Sequence, residues 1–113
     1  MVRIYHNPKC RKSREALEVL KKRNEEIEII EYLKNPPSEA DLKWLLGKMK
    51  ITPEQLVRKN EELYKKKFKG KSFTDAEWIR ILSENPVLIE RPLVVKGNKV
   101  LLARPAEKLD LLT

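Results

Sequence analysis

The hydrophobic periodicity of this chain changes several times along its length. The order of these changes limits the folds that the chain can adopt. Residues 2–5 and 27–32 alternate as strands do, and residues 11–23 between them carry apolar side chains at helical spacing. Two strands joined by a helix form a β-α-β unit, whose strands are parallel and whose connection is right-handed. The opening of the chain therefore predicts a parallel strand pair covered by one helix.

The middle of the chain is predicted to be helical, and its end returns to strands. A proline-containing break at residues 35–38 precedes helical patterns that extend to about residue 85. Residues 93–96 and 99–102 then read as two strands on either side of Gly97-Asn98, a dipeptide suited to a two-residue hairpin turn. These two strands are expected to be antiparallel neighbours.

The complete order is that of an α/β thioredoxin-like fold, β-α-β followed by β-β-α, with a mixed four-stranded sheet and an inserted helical subdomain. We expect one domain over residues 1–113, with the helical insertion at about 38–85. A last helix should place Leu109 and Leu112 on one face, and Trp44 is assigned to the core.

Composition narrows the classes of partner. The 113 residues include 25 Lys and Arg against 17 Asp and Glu, and the net charge of +8 suits an anionic partner. No signal peptide or membrane span is recognisable, and a single cysteine cannot form an internal disulfide, so we expect a cytoplasmic protein. We also expect a monomer without bound metal, and nucleic acid is not the favoured anion because no zinc-finger spacing occurs.

The single cysteine, Cys10, lies between the end of the first strand and the start of the first helix. Free backbone N–H groups and the dipole at a helix start favour an anion, so a thiol placed there is shifted toward thiolate. Ser13, three residues later, lies on the helix surface or donates a hydrogen bond to the thiolate. The pattern predicts redox or nucleophilic chemistry on an anionic substrate.

Three further residues are candidates for shaping this site. His6, the only histidine, either holds the turn or tunes the charge of Cys10 and positions Asn7. Asn7 is expected to shape the loop through an Asx-type turn. In a thioredoxin-like fold a proline precedes the third strand and faces the active cysteine, and Pro92 occupies that place, so its peptide bond is a candidate for cis geometry.

Five short motifs occur in order around this cysteine, and together they resemble the glutaredoxin-linked arsenate reductase family, the ArsC family. The motifs are His6-Asn7-Pro8-x-Cys10-x-x-Ser13-Arg14, Tyr32-Leu33-x-Asn35-Pro36-Pro37, Leu56-Val57-Arg58-Lys59-Asn60, Asn85-Pro86-x-Leu88-Ile89-x-Arg91-Pro92 and Arg104-Pro105. The resemblance runs over nearly the whole chain.

The resemblance implies an arsenate reductase in which the Cys10 thiolate forms an adduct with arsenate. Glutathione, as co-substrate, then releases arsenite and leaves a mixed disulfide, and glutaredoxin regenerates the thiol. By motif position, Arg58, Arg91 and Arg104 hold the oxyanion, a role that suits the always-charged planar guanidinium. The resemblance also favours the thiolate-supporting role of Ser13, and it implies no bound cofactor.

One departure and two alternatives accompany this interpretation. Reductases of this family usually carry Gly-Thr after the cysteine, whereas this chain has Arg11-Lys12, so the substrate is arsenate or a similar oxyanion. Spx-type regulators, which bind RNA polymerase, share the fold but typically carry a C-x-x-C switch. In this chain the position of the second cysteine is occupied by Ser13. The other alternative is a monothiol glutaredoxin-like protein that forms mixed disulfides with glutathione.

Overall fold

Strand β1 (Val2–His6), helix α1 (Arg11–Lys22) and strand β2 (Ile27–Glu31) open the chain in a computed structural model that describes residues 1–23 and 25–112. The two strands pair in parallel, with Val2 opposite Ile27. The β-α-β unit predicted from the periodicity is therefore confirmed.

Strands β3 (Leu93–Lys96) and β4 (Lys99–Leu102) form an antiparallel hairpin, and β3 also pairs antiparallel with β1. The sheet order is β2-β1-β3-β4, which is the mixed four-stranded sheet of the predicted thioredoxin-like fold. Gly97 has a φ of 61° in the turn between β3 and β4, a conformation that glycine adopts without a steric penalty.

Helix α1 and the C-terminal segment cover one face of the sheet. The core on this face consists of buried side chains from the sheet, from α1 and from the C-terminal segment: Val2, Ile4, Ala16, Leu17, Leu20, Val94, Ala103 and Leu109. The last helix, Ala106–Leu112, is a 3₁₀ helix that buries Leu109 completely. The predicted inward position of Leu112 lies outside the described side chains.

Residues 36–90 form a second compact unit, and residues 1–35 and 91–113 form the first. The second unit contains the helices α2 (Glu39–Met49), α3 (Glu62–Lys67) and α4 (Asp75–Glu84), within the segment predicted to be helical. Helices α2 and α4 begin at capping boxes, in which the backbone N–H of the third helical residue donates to a Ser or Thr hydroxyl. None of the helices in the described part of the chain has the length and apolar character needed to cross a membrane.

The expectation that Trp44 belongs to the core is wrong, because its side chain is 41% exposed. Helix α2 buries Leu42, Leu45 and Leu46, which cluster on one side of the helix. At about 100° per residue, Trp44 lies about 200° around the helix from Leu42 and so faces away from that stripe. Trp78, by contrast, is buried and contacts Phe73 edge to face, with ring centroids 4.9 Å apart.

We predict that Leu20→Ala destabilises the protein by roughly 2–5 kcal/mol, because it removes a fully packed side chain and leaves a cavity. Leu20 is 2% exposed beneath the sheet. The matched control is Leu111→Ala, since Leu111 belongs to the same unit and is 69% exposed. Urea unfolding should give a loss below about 0.5 kcal/mol for the control, and equal losses for the two variants would contradict this description of the core.

Candidate active site

A tight loop between β1 and α1 places Cys10 at the start of the helix. The N–H of Cys10 donates to the carbonyl oxygen of Asn7 at 3.0 Å, and the N–H of Lys9 donates to Asn7 Oδ1 at 3.0 Å. Asn7 therefore shapes the loop through both its backbone and its side chain. Cys10 itself is the N-cap residue of α1 and is 8% exposed.

Opposing effects act on the thiol of Cys10, and their sum lowers its pKa. Burial raises the pKa, because the charged thiolate is poorly solvated there. The backbone N–H of Ser13, the charge and hydrogen bond of Arg91, and the backbone N–H of Lys12 lower it. Cys10 is consequently biased toward the thiolate, the nucleophilic form of the side chain.

The hydroxyl of Ser13 is turned toward the loop that precedes Cys10. Its Oγ lies 2.6 Å from Nδ1 of His6 and accepts the backbone N–H of Asn7 at 3.0 Å. Ser13 thus holds the loop through its side chain, while its backbone N–H interacts with the thiol. The sequence did not predict that the backbone N–H and the side chain of Ser13 have these different partners.

His6 is buried at the end of β1, and its pKa is lowered. Burial is the largest cause, and the charges of Lys21 and Arg14 act in the same direction, whereas Glu31 opposes them. The imidazole is therefore neutral around pH 7, and its tautomer sets whether Nδ1 donates to or accepts from the Ser13 hydroxyl.

Two of the three predicted oxyanion arginines flank the β3–β4 hairpin. Arg91 and Arg104 lie just outside the pair Leu93–Leu102, with which the antiparallel register begins, so both arginines are at the same end of the sheet. Strand β1 ends there too, because Tyr5 pairs with Leu93. The hydrogen bond of Arg91 to Cys10 shows that this end of the sheet is where the thiol lies.

Both arginines precede a proline in a cis peptide bond. The Arg91–Pro92 bond has the cis geometry for which Pro92 was a candidate, and the Arg104–Pro105 bond is cis as well. The carbonyl oxygen of Pro92 accepts the N–H of Ala103 at 3.0 Å, which links the two dipeptides across the hairpin.

Arg58 belongs to the second unit, where carboxylates hold its guanidinium. Its Nη1 lies 3.3 Å from Glu61 Oε2, its Nε lies 3.9 Å from Glu90 Oε1, and it also donates to the carbonyl of Val87 at 3.4 Å. Sequence reasoning missed these carboxylates, although the spacing of three residues between Arg58 and Glu61 was a usable signal. An anion that binds Arg58 has to compete with them.

The donor set of this site suits an anion. Around the thiol it offers backbone N–H groups and a guanidinium, which are hydrogen-bond donors that stabilise charged oxygens. Among the described residues there is no group of three or more His, Cys, Asp or Glu side chains placed to hold a metal ion.

A model of the ArsC family matches residues 5–111. The chain belongs to the ArsC family. It is 42% identical to an arsenate reductase of Escherichia coli over 94% of this chain and 76% of that protein. It is 39% identical to uncharacterized protein YfgD of Escherichia coli strain K12, over 95% of this chain and 92% of that protein.

A solved structure, an arsenate reductase from Vibrio cholerae, superposes with a TM-score of 0.94 at 38% identity and covers 99% of this chain and 97% of its own. The thioredoxin-like α/β fold of this chain is thus the fold of a solved arsenate reductase. The similarity to these named arsenate reductases supports the assignment of this chain as an oxidoreductase. It also supports arsenate reduction as the general reaction.

We predict that the rate of Cys10 alkylation by iodoacetamide rises with pH around a midpoint below that of free cysteine, because a lowered pKa keeps the thiolate present at lower pH. Arg91→Gln should move this midpoint upward, since it removes both a charge and a hydrogen bond from the thiolate. Lys99→Gln, which removes an exposed charge from the hairpin, is the control. A midpoint unchanged by Arg91→Gln would contradict the described role of Arg91.

Proposed function

We propose that this chain reduces arsenate to arsenite, with Cys10 as the nucleophile and glutathione as the source of the second thiol. The proposal rests on the environment of Cys10. Its thiol has a lowered pKa and accepts hydrogen bonds from backbone N–H groups and from Arg91. A nucleophile and anion-binding donors therefore occur together. The likeness to named arsenate reductases supports the choice of oxyanion.

The first step is attack of the Cys10 thiolate on arsenic(V). A sulfur–arsenic bond forms, and one arsenate oxygen leaves as water after protonation, so that no electrons have yet been transferred. Arg91 is suited to this step because it faces the sulfur and offers a delocalised charge to the oxygens of the adduct.

Arg104 and Arg58 are proposed as the other oxyanion ligands. Arg104 is supported by its position at the same end of the sheet as Arg91, according to the register of the β3–β4 hairpin. Arg58 is proposed from its motif position, and the carboxylates of Glu61 and Glu90 would orient its guanidinium. Arginine suits all three positions because it remains charged at every physiological pH.

The second step transfers the electrons. The sulfur of glutathione attacks the Cys10 sulfur, a disulfide bond forms, and the electron pair of the sulfur–arsenic bond remains on arsenic, which leaves as arsenite. Two thiols are thus oxidised while arsenic(V) becomes arsenic(III). Glutaredoxin then removes glutathione from Cys10 by thiol–disulfide exchange, and a cytoplasmic location would keep these thiols reduced.

The remaining candidates support the nucleophile. We assign the hydroxyl of Ser13, His6 and the backbone of Asn7 to holding the loop, since they form one hydrogen-bonded group that joins the end of β1 to the first turn of α1. Pro92 is assigned to the wall opposite Cys10, as in thioredoxin-like folds. No bound cofactor is needed, because the thiols supply both electrons.

The decisive test is NADPH oxidation that depends on arsenate, in the presence of glutathione, glutaredoxin and glutathione reductase. We predict turnover by the unaltered protein and complete loss in Cys10→Ser, because a serine hydroxyl is not deprotonated at neutral pH and cannot provide the disulfide. Ser72→Ala, at an exposed serine of the second unit, controls for a general effect of substitution.

Other outcomes would contradict the proposal in different ways. The absence of arsenate-dependent turnover would remove arsenate as substrate. Exchange with glutathione disulfide in the absence of that turnover would favour a monothiol glutaredoxin-like protein, and co-purification with RNA polymerase would favour a regulator.

The arginine assignments are tested one at a time. We predict that Ala at Arg58, Arg91 or Arg104 lowers kcat/KM for arsenate by roughly 10- to 100-fold, the effect of losing one charged hydrogen bond. Arg80→Ala provides the control, since Arg80 is an exposed arginine of helix α4. Any of the three arginines whose removal leaves the arsenate kinetics unaltered is not an oxyanion ligand.

A further inference from the structure

A groove of about 430 Å³ runs along helix α1 beside the C-terminal 3₁₀ helix, and it begins at the residue that follows Cys10. The lining is mostly charged and consists of Arg11, Arg14, Glu15, Glu18, Val19, Lys22, Ala106 and Glu107. The groove is therefore adjacent in the chain to the nucleophile without being part of the arginine set proposed for the oxyanion.

Two of the three cations of the groove, Arg11 and Arg14, lie at its Cys10 end, and the third, Lys22, lies at the far end of α1. Arg14 donates from Nη1 to the carbonyl oxygen of Pro8 at 3.2 Å, which holds its guanidinium against the loop before Cys10. Arg11 lies 3.2 Å from Glu15, but its side chain is 85% exposed, so this ion pair is solvated and weak. Because the side chains of Arg11 and Arg14 are both exposed, both guanidinium groups are accessible to a carboxylate.

Glu15 and Glu18 follow Arg11 and Arg14 along the groove. Three cations and three carboxylates line it, so its net charge is zero. A polyanion such as nucleic acid would meet the repulsion of Glu15, Glu18 and Glu107, whereas a small zwitterion with separate carboxylate and ammonium groups would be complemented.

We propose that this groove binds glutathione, the thiol co-substrate, with the glycine carboxylate on Arg11 and Arg14, the γ-glutamyl ammonium group toward Glu15 and Glu18, and the neighbouring α-carboxylate toward Lys22. This inference rests on the proposed function, because that function requires a thiol at Cys10. The dimensions agree: an extended tripeptide spans about 10 Å, and the rise of α1 from Arg11 to Glu18 is also about 10 Å.

The test uses a reaction that does not involve arsenate. With glutathione disulfide, the Cys10 thiolate attacks one sulfur, the disulfide bond breaks, a mixed disulfide forms on Cys10 and one glutathione thiolate leaves. The rate is measured by mass spectrometry for glutathione disulfide and for cystamine, whose two ends are cationic. The ratio of the two rates cancels any change in the thiolate fraction of Cys10.

We predict that the double substitution Arg11→Gln and Arg14→Gln lowers the ratio of the glutathione disulfide rate to the cystamine rate by about three- to tenfold at low salt, and that the difference fades at high ionic strength. Lys9→Gln is the matched control, because Lys9 is an exposed cation next to Cys10 that does not line the groove. Its ratio should stay close to that of the unaltered protein.

An unchanged ratio in the double variant, or an equal fall in Lys9→Gln, would overturn the proposal. Titration with S-methylglutathione, which cannot react, provides a second readout by NMR. Saturable shifts of amide signals along residues 11–22 and 106–107 are expected, and their absence would also overturn the proposal. Because neither measurement requires arsenate, a failure here is distinct from a failure of the proposed function.

Discussion

The central physical constraint of this site is the balance between the burial of the Cys10 sulfur, which raises its pKa, and the hydrogen-bond donors that lower it. Burial of Cys10 opposes ionisation, and the site compensates with backbone N–H groups from the first turn of α1 and with Arg91. These donors act only if the loop before the helix is held in place. The hydrogen bonds among Ser13, His6 and Asn7 provide that restraint.

The sheet explains how distant parts of the chain reach the thiol. Parallel pairing of β1 with β2 requires the crossover through α1, and the crossover places the helix start beyond the end of β1. Antiparallel pairing of β1 with β3 then brings the segment before β3, which carries Arg91, to the same end. The proximity of Cys10 and Arg91 is therefore a consequence of the sheet topology.

The surroundings of the thiol carry more charge than the usual family sequence would suggest. Arg11 and Lys12 replace the customary Gly-Thr, and Arg11 contributes to a groove lined by charges of both signs. The side chain of Arg11 lines that groove, and the backbone N–H of Lys12 helps to lower the pKa of Cys10.

Much of the fold was predictable because its signals are local. The strand alternation and the Gly97-Asn98 turn each specify their own element. The N-cap residues Ser38 and Thr74, whose hydroxyls accept backbone N–H groups in the capping boxes of α2 and α4, do the same for these helices. The core assignment of Trp44 failed because hydrophobicity alone does not reveal the side of the helix on which a residue lies. The last helix was predicted, but its 3₁₀ geometry was not.

The single thiol, its place before a helix and the order of the elements can all be read from the sequence, since they follow from residue identity and neighbouring spacing. Folding was needed to bring Arg91 within hydrogen-bond reach of Cys10, to pair Arg58 with Glu61 and Glu90, and to form the groove along α1. The physical reason is range: propensity and capping act over a few residues, whereas desolvation and charge pairing depend on groups that folding brings together from distant parts of the chain.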